Sequence, residues 1–176
     1  MRTTNKILAG LILASGMSAV WAAPAPPNTA RPLEENVRKA LVTIPFLSVF
    51  DDLSYRVENG VVTLSGQATQ PIVKDYAEGA VKHLAGVTAV NDQIEVLPLS
   101  RFDDGIRLRT LRTLTHTSSL YRYFLGTYPS IRIVVKNGHV TLDGVVQNST
   151  DSQLAFMAAN QVPGVFLVTN DLRTQP

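Results

Sequence analysis

The block Asn-Gly-x-Val-Thr-Leu-x-Gly occurs twice in this chain, at residues 59–66 and again at residues 137–144. In both copies the Asn-Gly pair, Asn59-Gly60 and Asn137-Gly138, separates two runs of alternating apolar residues. This pair suits a type I′ turn, because both central positions of that turn need a positive φ. Each copy therefore predicts a β-hairpin, and the chain is a tandem repeat.

The register between the two copies extends beyond the hairpins. With the same offset of 78 residues, Gly86-Val87 aligns with Gly164-Val165, and an Asn-Asp pair follows in both copies. This offset exceeds the roughly 20 to 50 residues of a solenoid unit and is long enough for a module with its own core. We therefore expect two copies of one small domain, at 32–97 and 104–174, joined by a linker at 98–103.

The first 22 residues have the composition of a secretory signal peptide. Arg2 and Lys6 precede an apolar run that ends near Val20, and small residues surround the expected cleavage after Ala22. The run is shorter than the roughly 20 residues that cross a bilayer, so cleavage is favoured over an uncleaved anchor. Residues 23–31 form a Pro-rich leader, and no cysteine offers a disulfide or a lipid anchor. We expect a soluble periplasmic protein.

The charge differs between the two halves of the chain. Without the two basic residues of the signal peptide, the 14 acidic residues are matched by an equal number of basic ones. Residues 23–100 carry six basic and nine acidic side chains, whereas residues 101–176 carry eight basic and five acidic ones. A near-neutral chain lacks the strongly basic surface of nucleic-acid-binding proteins, so we expect no nucleic-acid partner.

The spacing of apolar residues predicts the remaining elements. A helix beginning near Pro32 and ending at Pro45 precedes the first hairpin. Further helices are predicted at 71–84 and 150–162, and strands follow them at 87–97 and 165–172. A strand, a crossover helix and another strand imply parallel pairing. The predicted fold class is α+β, with two tandem α-β-β-α-β domains, each a three-stranded mixed sheet packed on two helices.

On these motifs the chain resembles the BON domain family of bacterial envelope proteins. The resemblance rests on the repeated block, the helix after it, and the Gly-Val pair before a strand with Asn-Asp, and it covers both copies. It implies a non-catalytic protein that binds phospholipid or other envelope components, in a family often induced by osmotic or envelope stress. The second copy differs from the first in a longer opening segment, residues 102–128, which has no match in the first copy.

The histidines offer little for catalysis. They fall on three different predicted elements, so surface positions explain them better than a catalytic or metal site: His83, His116 and His139. No nucleophile motif, phosphate-binding loop or paired metal ligands are present in the sequence. We therefore expect no enzyme activity, no cofactor and no metal.

Two pairs of carboxylates have a structural explanation. Asp51-Asp52 and Asp103-Asp104 come directly before predicted elements, where aspartate caps a helix or solvates a loop. Adjacent side chains also point apart, which does not suit a shared acid and base role. Asn148 is expected in the same way to cap the helix that follows it.

The opening segment of the second copy contains the candidate binding site. On a helical wheel Leu108, Leu111 and Leu114 share one side and are expected in the core. Arg109, Arg112 and His116 share another side, which is basic. The candidate lipid-binding residues are Arg109, Arg112, His116, Tyr121, Tyr123 and Phe124. A basic face beside aromatic side chains suits anionic head groups. The alternative is a solvated helix face with the aromatic side chains in the core.

Two functions stay open on the sequence. The first is a periplasmic binding module that contacts anionic phospholipid through the basic second domain. The second is a protein-interaction module of envelope assembly, whose exposed sheet edges recognise a partner protein. The charge difference favours the first function, and open sheet edges suit the second equally well.

Overall fold

The computed structural model describes residues 30–117, 119–126 and 128–175. Its elements are α1 (Ala30–Val42), β1 (Asp52–Glu58), β2 (Val61–Ala68), α2 (Pro71–Lys82), β3 (Ala89–Val96), α3 (Arg101–His116), a 3-10 helix (Tyr121–Phe124), β4 (Ile131–Lys136), β5 (His139–Val146), α4 (Ser149–Asn160) and β6 (Leu167–Thr174). The predicted signal peptide, its cleavage site and nearly all of the Pro-rich leader lie outside the described residues. Within the described residues, no helix has the length and apolar character needed to span a bilayer.

Each half of the chain forms a three-stranded mixed sheet. In the first domain β1 pairs antiparallel with β2, and β2 pairs parallel with β3. In the second domain β4, β5 and β6 repeat this order and these directions. The parallel pairs require a crossover, which α2 and α4 provide. The predicted fold class, two tandem α-β-β-α-β domains, is confirmed.

One face of each sheet packs against the two helices of its own domain. The fully buried side chains at the centre of the first core are Val37, Val62, Leu64, Ala77 and Val81. Fully buried side chains at the centre of the second core include Leu114, Val140, Leu142, Ala155 and Ala159. The two cores are separate clusters, as expected for two copies of one domain.

The hairpin turns have the backbone that the Asn-Gly pairs predict. In the first copy φ is 51° at Asn59 and 82° at Gly60, and in the second it is 53° at Asn137 and 76° at Gly138. Two successive positive φ values define the type I′ turn, whose twist matches that of the flanking strands. The structural role assigned to these four residues is therefore confirmed.

The last glycine of the repeated block is required for a different reason. A Cβ atom on Gly144 would lie 1.9 Å from the carbonyl oxygen of Ser130, and one on Gly66 would lie 2.1 Å from that of Asp52. Both glycines also have positive φ, of 133° and 111°. Only glycine lets the first and second strands approach this closely.

Helices α1 and α3 occupy equivalent positions in their domains. Leu33 of α1 lies beside Gly86, and Ile106 of α3 lies beside Gly164, the matching glycine of the second copy. Nine residues connect α1 to β1, whereas fourteen connect α3 to β4. The long opening segment is therefore an equivalent helix followed by five extra residues around the 3-10 helix. Helix α3 begins at Arg101, inside the predicted linker.

The first domain contacts the second at the free edge of β4. The backbone N–H of Ile133 donates a hydrogen bond of 2.9 Å to the carbonyl oxygen of Val49, and the Val49 and Phe50 side chains pack against the second core. The Arg132 side chain forms an ion pair with Asp52 of the first domain, at 2.6 Å, and a second ion pair with Asp143 of its own sheet. A loop of the first domain thus completes the edge of the second.

Candidate functional site

Helix α3 carries most of the candidate residues, and local sequence fixes where it begins. The hydroxyl of Ser100 accepts a hydrogen bond of 3.2 Å from the backbone N–H of Asp103, which caps the helix. Asp103 and Asp104 lie in the first turn and His116 in the last, each near the helix end that favours its charge.

Two charged side chains on the inner side of α3 fix the helix against the hairpin of the second domain. The Asp103 carboxylate accepts hydrogen bonds from the backbone N–H groups of Asn137, at 2.9 Å, and Gly138, at 2.8 Å. The buried Arg107 donates to the carbonyl oxygen of Val135 at 2.6 Å and pairs with Asp104 at 2.5 Å. The Asp103-Asp104 pair has a structural role, but the prediction that it caps a helix or solvates a loop is wrong, because both residues lie within the first turn of α3 and Ser100 caps the helix. The sequence did not reveal the role of Arg107, because an arginine on an amphipathic helix normally faces solvent.

These inner contacts rotate the helix away from the predicted orientation. Its buried positions are Asp103, Ile106, Arg107, Thr110 and Leu114. The prediction that Leu108 lies in the core is wrong, because 60% of its surface is exposed, and Leu111 is only half-buried. Two of the polar residues in this stripe are stabilised by hydrogen bonds, Asp103 to the hairpin turn and Arg107 to β4. The Thr110 hydroxyl has no hydrogen-bond partner among the described residues.

The outward side of α3 is basic. Arg101, Arg109 and Arg112 are exposed, and none of them forms an ion pair with a carboxylate of the described residues. The Nε atom of Arg109 donates a hydrogen bond of 3.2 Å to the carbonyl oxygen of Pro163, which holds its guanidinium over the end of α4. His116 is also exposed, and its Nδ1 lies 2.7 Å from the carbonyl oxygen of Arg112.

Exposed apolar side chains lie among these cations. Phe102 stacks on Phe166, with ring centroids 6.0 Å apart, although 72% of Phe166 is exposed. On the other side of the helix Leu108 and Tyr121 line a common groove with Arg112. We name the whole surface the α3 face, comprising Arg101, Phe102, Leu108, Arg109, Arg112, Tyr121 and Phe166.

The sequence did not identify Phe102 or Phe166 as part of this surface. A signal for Phe166 exists in the repeat itself, because the equivalent position of the first copy, Thr88, is polar. An aromatic residue that replaces a polar one at the same exposed position of a duplicated fold indicates a surface function rather than packing.

The predicted lipid-binding role of Tyr123 is wrong. Only 6% of this residue is exposed, and its hydroxyl donates a hydrogen bond of 2.6 Å to the carboxylate of Asp151. The Tyr123 hydroxyl, with the adjacent Arg122 guanidinium, lowers the pKa of the Asp151 carboxyl below its ordinary value. The same hydroxyl accepts the backbone N–H of Gln147 at 2.9 Å, so Tyr123 ties the 3-10 helix to the start of α4.

Phe124 and Tyr121 lie on a groove beside α3. This groove has a volume of about 510 Å³ and lies between the helix, the 3-10 helix and the loop of the first domain that contains Val49. Leu111, Phe124 and Val49 are half-buried against the second core and form its base. Of the six residues predicted to contact lipid, the structure brings Arg112, His116, Tyr121 and Phe124 together here, whereas Arg109 lies outside the groove, beside Pro163.

The other residues considered for chemistry lie apart. His83 caps the end of α2, and His139 begins β5, far along the chain from His116 on α3. Asp51 is fully buried and accepts hydrogen bonds from Ser48 and Thr69, and Asn148 accepts the backbone N–H of Asp151 as the cap of α4. Among the described residues, no group of three carboxylate or imidazole side chains is placed to hold a metal ion.

The chain belongs to the BON domain family, whose pattern matches residues 29–98 and 118–176. Over 125 residues it is 29% identical to osmotically-inducible protein Y of Escherichia coli (strain K12), a match that covers 70% of this chain. The chain spans 62% of the length of that relative.

Among solved structures, the chain is similar to the C-terminal domain of CdsD, a structural protein of the type III secretion system of Chlamydia trachomatis. That match has a TM-score of 0.29 and 13% identity, and covers 82% of this chain and 98% of the other.

Proposed function

We propose that this chain is an exported, non-catalytic protein of the cell envelope that docks on anionic phospholipid through the α3 face. The observation that carries the proposal is the composition of that face. Three arginines without ion pairs in the described residues lie beside four exposed apolar side chains, on a single helix and its neighbours. Each cation near an anionic membrane surface contributes about 1 kcal/mol, and apolar side chains add burial in the head-group region.

The geometry of the face supports docking on a surface. The inner contacts of Asp103 and Arg107 fix α3 against the hairpin, so the outward side chains are held on a rigid element. A rigid site loses less conformational entropy on binding than a mobile loop would. Phe102 and Phe166 at one end, and Leu108 and Tyr121 at the other, give the face two apolar contact points around the cations.

Export and a role in envelope stress complete the proposal. The predicted signal peptide at residues 1–22 supports delivery to the periplasm, and mass spectrometry of the exported protein tests cleavage after Ala22. An intact Met1 on a membrane-bound product contradicts export as a soluble protein. The likeness to osmotically-inducible protein Y supports induction under osmotic stress. Measuring the transcript after an osmotic shift tests this directly.

Vesicle co-sedimentation of the mature protein tests docking. The test variant is Arg101→Glu with Arg112→Glu, because both side chains are exposed and neither makes a hydrogen bond within the described residues. Arg109 is left unchanged, since its bond to Pro163 gives it a packing role. We expect the unmodified protein to bind phosphatidylglycerol vesicles, to bind less at physiological salt than at low salt, and to lose binding in the variant.

A matched control makes the same change of charge in the first domain. Lys39→Glu with Lys82→Glu alters two exposed lysines, of which Lys39 makes only an exposed ion pair with Glu35 at 3.4 Å. Lys74 is unsuitable because it donates a hydrogen bond to the Ile94 backbone. We expect this control to keep most of its vesicle binding. Equal loss in both variants would show that net charge, rather than the α3 face, determines binding.

A protein-interaction function is the second candidate. It is favoured by β3 and β6, which lie at the outer edges of their sheets and carry unpaired backbone groups on one side. A partner strand could add to either edge. If the unmodified protein does not bind anionic vesicles even at low salt, this candidate replaces the lipid proposal.

A further inference from the structure

The groove beside α3 is an open depression lined mainly by apolar side chains. Its volume of about 510 Å³ is within the range of pockets that hold small molecules. Its base consists of apolar side chains that already pack on the second core, and Leu108 and Tyr121 form its walls. An apolar occupant would remove the exposed surface of Leu108 and Tyr121 from water.

The charged groups of the groove lie together at one side. Arg112 and His116 lie on consecutive turns of α3. The contact between the His116 Nδ1 atom and the Arg112 carbonyl oxygen sets the position of the imidazole. Arg112 forms no ion pair within the described residues. An occupant that is apolar over most of its length and anionic at one end therefore matches this groove.

The cleft beside the equivalent helix of the first domain has a different lining. Arg38 and Val42 of α1 correspond to Leu111 and Thr115 of α3, and they line a cleft of about 540 Å³ together with Tyr128 and Arg132 of the second domain. The first domain contributes Val49 to the lining of the α3 groove. Arginine side chains of both domains thus line the first cleft, whereas the α3 groove is mainly apolar beside Arg112 and His116.

We propose that the α3 groove binds one acyl chain of a free single-chain anionic amphiphile, a lysophospholipid, with its head group at Arg112 and His116. The inference rests on the proposed function, because Leu108, Arg112 and Tyr121 belong to both the groove and the α3 face. It adds a site with a stoichiometry of one molecule per chain and a preference for a single chain.

The experiment is calorimetric titration of the full mature protein with lauroyl-lysophosphatidylglycerol below its critical micelle concentration. We expect saturation at one molecule per chain. Lauroyl-lysophosphatidylcholine, which has the chain without net charge, and glycerophosphoglycerol, which has the charge without the chain, should each bind at least about tenfold more weakly. Binding of either control as tight as that of the anionic amphiphile overturns the inference.

A variant that fills the groove separates this site from membrane docking. Thr115→Phe adds a ring inside the groove, and Gln153→Phe adds the same ring at an exposed position of α4 as a control. We expect Thr115→Phe to weaken lysophospholipid binding at least about tenfold, without changing vesicle co-sedimentation, and Gln153→Phe to change neither. A Tyr121→Trp reporter, whose fluorescence should shift on titration, keeps the test valid if Thr115→Phe does not fold.

The outcomes distinguish the two proposals. Vesicle binding without binding of the monomeric lysophospholipid overturns the groove site and leaves the docking function standing. Binding of the lysophospholipid that Thr115→Phe removes, in a protein that ignores vesicles, supports the groove site and contradicts the docking function. Dimerisation that buries Leu108 and excludes the amphiphile shows a second copy as the occupant and overturns the inference.

Discussion

The first helices of the two domains occupy the same place in the fold but present different surfaces. On α1, Glu35 forms ion pairs with Arg38 at 3.1 Å and Lys39 at 3.4 Å, so the exposed charges are matched within the helix. The corresponding positions of α3 are Leu108, Leu111 and Arg112. Of the buried positions of α1, Leu33 and Leu41 remain apolar in α3 as Ile106 and Leu114, whereas Val37 is replaced by Thr110. The two copies therefore share what the fold requires, and the outward positions of α3 are where function should be sought.

The contact between the domains is also unequal. Val49 and Phe50 of the first domain pack against the core of the second, whereas the first core contains residues of its own domain alone within the described chain. The first domain is therefore complete in itself, and the second depends on a loop of its neighbour. Each prediction below tests this difference between the copies.

The largest effect is expected at the closely packed glycines. Gly66→Val and Gly144→Val should each lower the free energy of unfolding of their own domain by about 3 to 5 kcal/mol, because the new side chain meets a backbone carbonyl and φ is positive. Gly66→Val should also destabilise the second domain, since Val49 and Phe50 lose their support. Gly144→Val should leave the first domain unchanged. Peptide-resolved hydrogen exchange measures the stability of each domain in both variants. If each variant destabilises the other domain by the same amount, the unequal dependence of the two domains is contradicted.

The next effect concerns the buried carboxylate of Asp151, at the start of α4. Asp151→Asn should lower the free energy of unfolding of the second domain by about 1 to 3 kcal/mol, because Tyr123 and Arg122 lose a charged acceptor. The pKa of Asp151 is depressed in the folded state, so its contribution is present above its ordinary pKa of 3.8 and is lost as the pH falls through the folded value. Urea titrations at several pH values should show this acid loss in the unmodified protein and its reduction in Asp151→Asn.

Separating the domains should have a smaller effect, on one of them. Residues 31–98 should unfold cooperatively alone, because their core is self-contained. Residues 99–176 should be less stable alone than in the full chain by about 1 to 2 kcal/mol, through loss of the Val49 and Phe50 contacts. Calorimetry of both fragments and the full chain measures this. A first domain that does not unfold cooperatively, or a second domain that loses no stability, contradicts the unequal dependence.

The smallest effect is expected at the ion pair between Lys136 and Glu95, which joins the domains at 2.5 Å. Both side chains are largely exposed, so a double-mutant cycle of Glu95→Gln and Lys136→Met should give a coupling energy below about 1 kcal/mol that salt removes. Lys136 lowers the pKa of Glu95, so this contribution too is lost as the pH falls. A coupling that persists in high salt would show that the pair is part of a rigid interface.

The sequence predicts those parts of the fold that depend on local chemistry. Asn-Gly pairs determine the turns, the periodicity of apolar residues determines the helices, and repetition determines the number of domains. The orientation of α3 was not predictable, because its buried stripe contains Asp103, Arg107 and Thr110. Asp103 and Arg107 are held there by hydrogen bonds to a turn and to β4, more than twenty residues away in the chain, which periodicity does not detect.

The candidate site was predictable in its position but only partly in its residues. The basic side of α3 followed from the helical wheel, and Arg112 and His116 lie where that pattern places them. Tyr123 looked equivalent to Tyr121 in sequence, since both belong to one aromatic cluster, but the 3-10 helix points Tyr123 inward to Asp151. The stacking of Phe166 on Phe102 depends on the residue before β6 lying beside the start of α3, which no local pattern contains.

Val49 precedes in the chain every element of the domain that it completes. Because a chain is synthesised from its N-terminus, this loop is present before β4 exists. When β4 forms, its free edge meets a covering backbone already folded beside it, instead of standing open to the strands of other chains. We therefore expect the order of the two domains to limit aggregation through the β4 edge during synthesis, and we expect exchange of the two domains to remove this effect.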